Sequence, residues 1–210
     1  MTRLLASALM LAAFHASIRP LPAPFKNELV ARHDWHSGCP VPLSGLRLLT
    51  VTVLGFKGKP YRGQLVVNER FAAPLAKVFR RLYSLRFPVR DLNLAANYAS
   101  QGERARHPDA SGSFECRQAV PSPCTGGTGT GSWSMHAYGE AVDLNPVENP
   151  YVGCGMSRDK TARAYMDRSN VRPGMVTPAV VQAFASIGWG WGGSWSGSTK
   201  DYMHFSATGH

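Results

Sequence analysis

Charged side chains make up only 17% of this 210-residue chain, so long solvent-exposed helices should be few. Acids are the scarcer sign: 13 Asp and Glu against 23 Lys and Arg leave a net charge of +10. Such a field favours anionic partners, whether nucleic acid, membrane or an anionic cell wall. No basic cluster longer than Arg80-Arg81 occurs, however, and scattered charge does not indicate a dedicated nucleic-acid groove, so no nucleic acid is expected as partner. Long hydrophobic runs are also missing. The apolar run 4–14 is eleven residues, too short to cross a bilayer, and it follows the basic start Met1-Thr2-Arg3. This is the shape of an export leader, expected over 1–18, although no clean small-x-small cleavage pair follows it. A buried N-terminal helix is the bland alternative. Cysteine is sparse but even in number, and Cys39, Cys116, Cys124 and Cys154 form no C-x-x-C pair. Zinc-ribbon and thioredoxin readings lose their spacing argument, and two disulfides in an oxidising compartment are expected.

With no internal repeat and no long linker, one hydrophobic core is expected, in a loop-rich α+β domain, because Gly (21) and Pro (15) are frequent. Residues 19–36 are Pro-rich and mixed and read as an extended lead-in, leaving 37–210 as the domain. The β-branched run LLTVTVL (48–54), turn residues 55–63 and the run 64–67 predict a buried hairpin. Asn68 then caps a helix on which Phe71, Leu75, Val78, Phe79 and Leu82 recur at helical spacing. Short strands are predicted from Pro88 to Leu94, over 114–117 and over 141–144, and a helix over 178–187 stopped by Gly188. The segment 126–132 (GGTGTGS) reads as loop.

The polar groups of W-S-M-H-A-Y-G-E-A-V-D (133–143) raise the question of chemistry. His136 and Asp143 are seven positions apart, with Gly139 to turn the chain between them. Alone, H-x6-D is weak, because single motif matches are commonly chance. A catalytic zinc needs three protein donors at about 2 Å and one open position. Among the other histidines, His15 falls in or beside the presumed leader, His210 is the last residue and His107 sits in a loop-rich stretch. His33-x2-His36-x2-Cys39 has ligand-like spacing, but Cys39 is expected to be oxidised. His204 is different, because Asp201 precedes it by three positions in D-Y-M-H-F. His136, Asp143 and His204 can then hold Zn²⁺, with Asp201 as general base and Arg117 as the cation for an oxyanion or a substrate carboxylate. A surface salt bridge is the plain alternative for Arg117. Glu140 and Glu148 read as solvated turn residues, and two of Trp189, Trp191 and Trp195 as core.

The ordered set S-x-H-A-Y-G-x-A-x-D-L-N-P, N-P-Y, G-W-G-W-G-G-x-W and D-Y-x-H-F resembles the M15 zinc peptidases. This branch holds the D-alanyl-D-alanine carboxypeptidases and L-alanyl-D-glutamate endopeptidases of peptidoglycan stem peptides. The resemblance extends through F-E-C-R (114–117), the hairpin arm 63–68 and Gly38-Cys39-Pro40-Val41, covering roughly 37–208. It implies His136, Asp143 and His204 as metal ligands, Asp201 as catalytic acid/base, Arg117 as substrate-orienting residue and Ser134 as a peptide-binding residue. It also implies a compact single domain with a central antiparallel sheet carrying the zinc, flanked by helices as in the DD-peptidase and hedgehog-like folds. Two departures are the long Gly/Thr-rich stretch 118–132 with Cys124, and Cys154 just after N-P-Y. Two cysteines beside two insertions suggest Cys124–Cys154, which leaves Cys39 with Cys116. A secreted monomeric carboxypeptidase is expected, drawn electrostatically to an anionic wall. Endopeptidase cleavage and a non-catalytic wall-binding zinc module are the competing readings.

Overall fold

The computed structural model describes residues 13–94 and 109–210. Most of the presumed leader and His107 lie outside them. Strands β1 (Ala16–Pro20), β2 (Leu46–Leu54) and β3 (Pro60–Asn68) form an antiparallel sheet in that order. The expected hairpin is β2–β3, paired from Leu46↔Asn68 to Leu54↔Pro60. Its apolar run is nearly continuous because both faces are covered. Leu49, Val51, Val53, Leu65 and Val67 face helix α2 (Glu69–Ser84) and share one core cluster with helix α3 (Pro178–Ala185), whereas Leu46, Leu48 and Val66 belong to a second cluster.

That second cluster corrects the reading of the lead-in. Residues 19–36 are not extended throughout: helix α1 (Ala23–Ala31) buries Leu29, and Leu21 and Phe25 pack with it on the far face of the hairpin. Strand β1 begins at Ala16, within the stretch expected as leader, and pairs with β2 from Ala16↔Val51 to Pro20↔Arg47. A cut at residue 18 would sever it.

Asn68 caps α2 by accepting from the Arg70 N–H, and Leu75, Val78, Phe79 and Leu82 are buried along one face. Each such side chain contributes about 1.5–3 kcal/mol, against which the entropy of ordering must be set. Two smaller antiparallel sheets complete the fold. One has the order β4 (Ala141–Asp143), β9 (His204–Ser206), β7 (Gly190–Trp191); the other β6 (Met156–Ser157), β5 (Tyr151–Gly153), β8 (Lys200–Asp201). The architecture is therefore a mixed, compact α+β arrangement of three small sheets. A single central sheet does not carry the candidate site, which lies on the two short-stranded sheets. The predicted strand over 114–117 does not form. Between Pro88 and Leu94 pairing is limited to bridges Leu54↔Pro88 and Asp91↔Ala110.

Two disulfides are present, Cys39–Cys116 and Cys124–Cys154, with the expected pairing. Closing 77- and 30-residue separations limits the unfolded chain. In the chain-entropy account this is worth roughly 3–5 kcal/mol each. Among the described residues no helix is long and apolar enough to cross a membrane.

Candidate metal centre and cleft

Asp143 and His204 are direct partners in the β4–β9 ladder. Opposed residues of an antiparallel pair project to the same face, so the register alone brings carboxylate and imidazole together. His136 comes from a 3-10 turn, Met135–Tyr138, capped by Ser134 Oγ, which accepts from the His136 N–H at 3.3 Å. Gly139 ends the turn at φ 66°, and a Cβ there would come within 2.7 Å of the Asn68 nitrogen. The Asn68 N–H donates to the Gly139 carbonyl, so the turn is seated on the junction between hairpin and α2. Glycine meets both demands, the left-handed backbone and the close approach.

Nδ1 of His136 lies 2.5 Å from the carbonyl oxygen of Ser113 and donates to it. The other nitrogen, Nε2, is then a lone pair, and it lies 3.1 Å from an Asp143 carboxylate oxygen and 3.3 Å from His204 Nδ1. The second Asp143 oxygen is 3.1 Å from His204 Nδ1. One proton on His204 can satisfy only one of these contacts. Two acceptors facing each other at 3.1 Å in a buried site want a cation between them. The donor set is also what zinc takes, with a backbone carbonyl fixing one imidazole from behind. These residues therefore fit a metal ion, His136 Nε2, His204 Nδ1 and the Asp143 carboxylate being its available ligand atoms. Burial opposes ionisation of Asp143, but positive charge at the His136 and then the His204 positions, such as a cation bound between them would also supply, outweighs it and holds the carboxyl well below its ordinary range.

Asp201 sits on β8, opposite Tyr151 of β5. Its Oδ1 is buried without a hydrogen-bond partner among the described residues. Burial first, then the Asp143 charge, push its carboxyl up to about 7, against the opposing pull of His204 and Arg117. Gly192 is packed onto it, since a Cβ there would come within 2.5 Å of the Asp201 carbonyl oxygen. Arg117 lines the same cleft, of about 390 Å³, as Ser134, Asp201 and the three ligand candidates. It is partly committed: Nε holds Glu115 at 3.1 Å and Nη1 donates to the Gln118 carbonyl. The salt-bridge alternative thus applies to one edge of its guanidinium. Trp189 is buried and Trp191 stacks on Phe205, whereas Trp195 lines the cleft beside His210, 5.5 Å away. The histidine dismissed as the last residue is therefore a cleft wall.

The other ligand-spaced set does not act as one. His36, Cys39 and Cys116 are close together, but both sulfurs are spent in one disulfide. Glu140 and Glu148 are buried, not solvated. Glu148 pairs with Arg90 at 2.5 Å, and Arg90 also holds Asp109 at 2.5 Å. Asn145 accepts from the Arg90 N–H and donates to the carbonyls of Pro88 and Gly174. Asn149 donates to Leu144 and Gly174 and accepts from the Val176 N–H. N-P-V-E-N-P is thus a polar hub fastening the end of β4. Its partners are mostly backbone carbonyls, as is Ser113 behind His136, and a carbonyl leaves no mark in a sequence.

Neither a curated protein nor a solved structure matches the chain. Residues 128–207 match a family model described as D-alanyl-D-alanine carboxypeptidase, a stretch that contains His136, Asp143, Asp201 and His204 but neither Arg117 nor the hairpin. The match supports an M15-family peptidase.

Proposed function

We propose that this chain is a secreted, zinc-dependent peptidase of peptidoglycan stem peptides, acting as a monomeric D-alanyl-D-alanine carboxypeptidase. The observation that carries the reading is a single cleft holding three mutually facing metal-ligand atoms together with a buried, partnerless Asp201 oxygen. His136, Asp143 and His204 would hold the zinc ion, which would supply Lewis-acid polarisation of a carbonyl and a water that is nucleophilic near neutral pH. Asp201 takes the proton of the attacking water and returns it to the departing amine, a task suited to a carboxyl held near 7. Arg117 receives the terminal carboxylate on the guanidinium edge that Glu115 leaves open. Ser134 keeps its hydroxyl proton free to meet the peptide, because its oxygen is used as the acceptor for the turn. Trp195 offers a flat face for the peptide at the other wall. The disulfides accord with an extracytoplasmic site, and the excess of basic residues with an anionic wall.

Digestion of muropeptides with and without chelator, read by mass spectrometry, tests this. Loss of a single alanine, abolished by chelator and restored by zinc, is expected; no product from zinc-loaded protein would sink the proposal. A second reading, cleavage between L-Ala and D-Glu, is favoured by the Arg117–Glu115 pair, since that bond needs no terminal carboxylate to be read. It would leave fragments differing by more than one residue.

A further inference from the structure

The segment between Arg117 and Ser134 leaves the cleft and returns to it. Gln118 bridges to Trp133, the Ala119 N–H donates to Ser132, and the Ser134 N–H donates to Arg117. The base of this loop therefore carries two candidate substrate residues. Its far end is tied down on the opposite side of the site. Cys124 is bonded to Cys154, which directly follows β5. Ser122 Oγ meets Thr199 Oγ1, just before β8, at 2.6 Å. Arg158 donates to the carbonyls of Pro121 and Gly127. The seat is tight: a Cβ on Gly153 would fall 2.9 Å from Ser122 Oγ and 3.0 Å from Cys124 Sγ. Strands β5 and β8 carry Tyr151 and Asp201, and Tyr151 closes the gap by donating to the Val120 carbonyl at 3.4 Å. The loop thus runs from the Arg117 wall to the Asp201 wall, and the two walls touch at Val120, three residues on from Arg117.

We propose that this disulfide-pinned strap makes one end of the cleft blind and so selects peptides that terminate there in a free carboxylate. The proposal rests on the peptidase reading and assigns the strap as its specificity element. An extended peptide advances about 3.3 Å per residue and needs an open channel on both sides of the scissile bond to be cut internally. The contact of Val120 with Tyr151 denies that channel, and Arg117 stands where the chain must end.

The test compares a stem pentapeptide ending in D-Ala-D-Ala with the same peptide extended by two residues beyond the second D-Ala, using zinc-loaded protein. The wild type should prefer the unextended peptide by about tenfold to a hundredfold, the worth of a charge-assisted hydrogen bond to the carboxylate that ends there. Cys124→Ser/Cys154→Ser should narrow that ratio mainly by gaining turnover of the extended peptide, with zinc content unchanged. Ser122→Ala/Arg158→Ala, which loosens the strap but keeps the disulfide, should narrow it less and serves if the first variant does not fold. Equal cleavage of both peptides by the wild type overturns the blind end. An unchanged ratio in a folded, zinc-loaded loosened variant overturns the role of the strap. Cleavage of neither peptide, nor of any muropeptide, overturns the peptidase reading itself and this inference with it.

Discussion

Two buried polar clusters lie on either side of β4, and they are built in opposite ways. On one side His136, Asp143 and His204 face one another with more lone pairs than protons, and Asp201 adds an oxygen with no partner. On the other side, Arg90 spans Asp109 and Glu148, and Asn145 and Asn149 spend their amides on four different carbonyls. Both clusters remove charge from water, which is costly unless the groups answer each other. The second answers itself except at one Glu148 oxygen, which has no partner among the described residues, and it holds backbone segments together. The first is left wanting a cation and a proton carrier, and it opens on a cleft. Arg90, Asp109 and Glu148 also border a cavity, of about 730 Å³, so it is the unmet demand for a cation and not the cavity that marks chemistry.

The comparison predicts opposite signatures for loss of a single group. Asp201→Asn keeps the shape but removes the base, so turnover should fall by about 10²–10⁴-fold. Zinc content and melting temperature should be nearly unchanged, measured by metal analysis and calorimetry. His136→Ala should instead lose both metal and turnover. Full activity in Asp201→Asn would transfer the proton to another group. Arg90→Ala should do the reverse. It leaves the buried Glu148 carboxylate without its half-exposed cation, a loss of about 1–3 kcal/mol in urea unfolding. The folded fraction should still bind zinc, and an Arg90→Ala protein as stable as wild type would break the contrast.

The contrast also explains what could be read before the structure. The hairpin and α2 were legible because long apolar runs carry a period, and the disulfide-ready cysteines because their number and spacing do. His136, Asp143 and His204 were legible only as an ordered resemblance, since H-x6-D has no force by itself and β4 and β9 are three residues each. The placement of Asp143 and His204 on a short side sheet was not legible, nor was α1 in the supposed lead-in, whose mixed composition hides a single buried face. Glu148 was misread for the same physical reason as Ser113 was missed. What neutralises or orients these groups is distant in sequence, or is backbone.

Acidity gives a smaller effect that separates the clusters further. Burial first, and then the facing Glu148, raise the Asp109 carboxyl to about 7. An unfolded aspartate titrates at roughly 3.9. Between those values the folded chain keeps a proton that the unfolded chain releases. The Asp109 contribution to stability is therefore fully present below the unfolded value, declines as pH rises from about 4 to about 7, and is flat above. Asp109→Asn imitates the protonated acid and should flatten that slope, measured by urea midpoints across the range. The slope should shrink without vanishing, because Asp201 is raised in the same direction. An unaltered slope would place the retained proton elsewhere.

The smallest expected effect falls on Ser134, which stands between the two classes. Its oxygen accepts from the His136 N–H, a satisfied structural bond, while its hydroxyl proton has no acceptor among the described residues in the cleft it lines. If capping were its whole use, Ser134→Ala would cost about 1 kcal/mol of stability and Ser134→Thr little, with kinetics following the folded fraction. If it also meets the peptide, Ser134→Ala should raise KM severalfold at unchanged kcat in fully folded, zinc-loaded protein, because a binding contact equal in ground and transition states is lost. We expect the second outcome. A protein that loses only stability would assign Ser134 to the architecture, and would move the boundary between the two kinds of cluster inward by one residue, to His136.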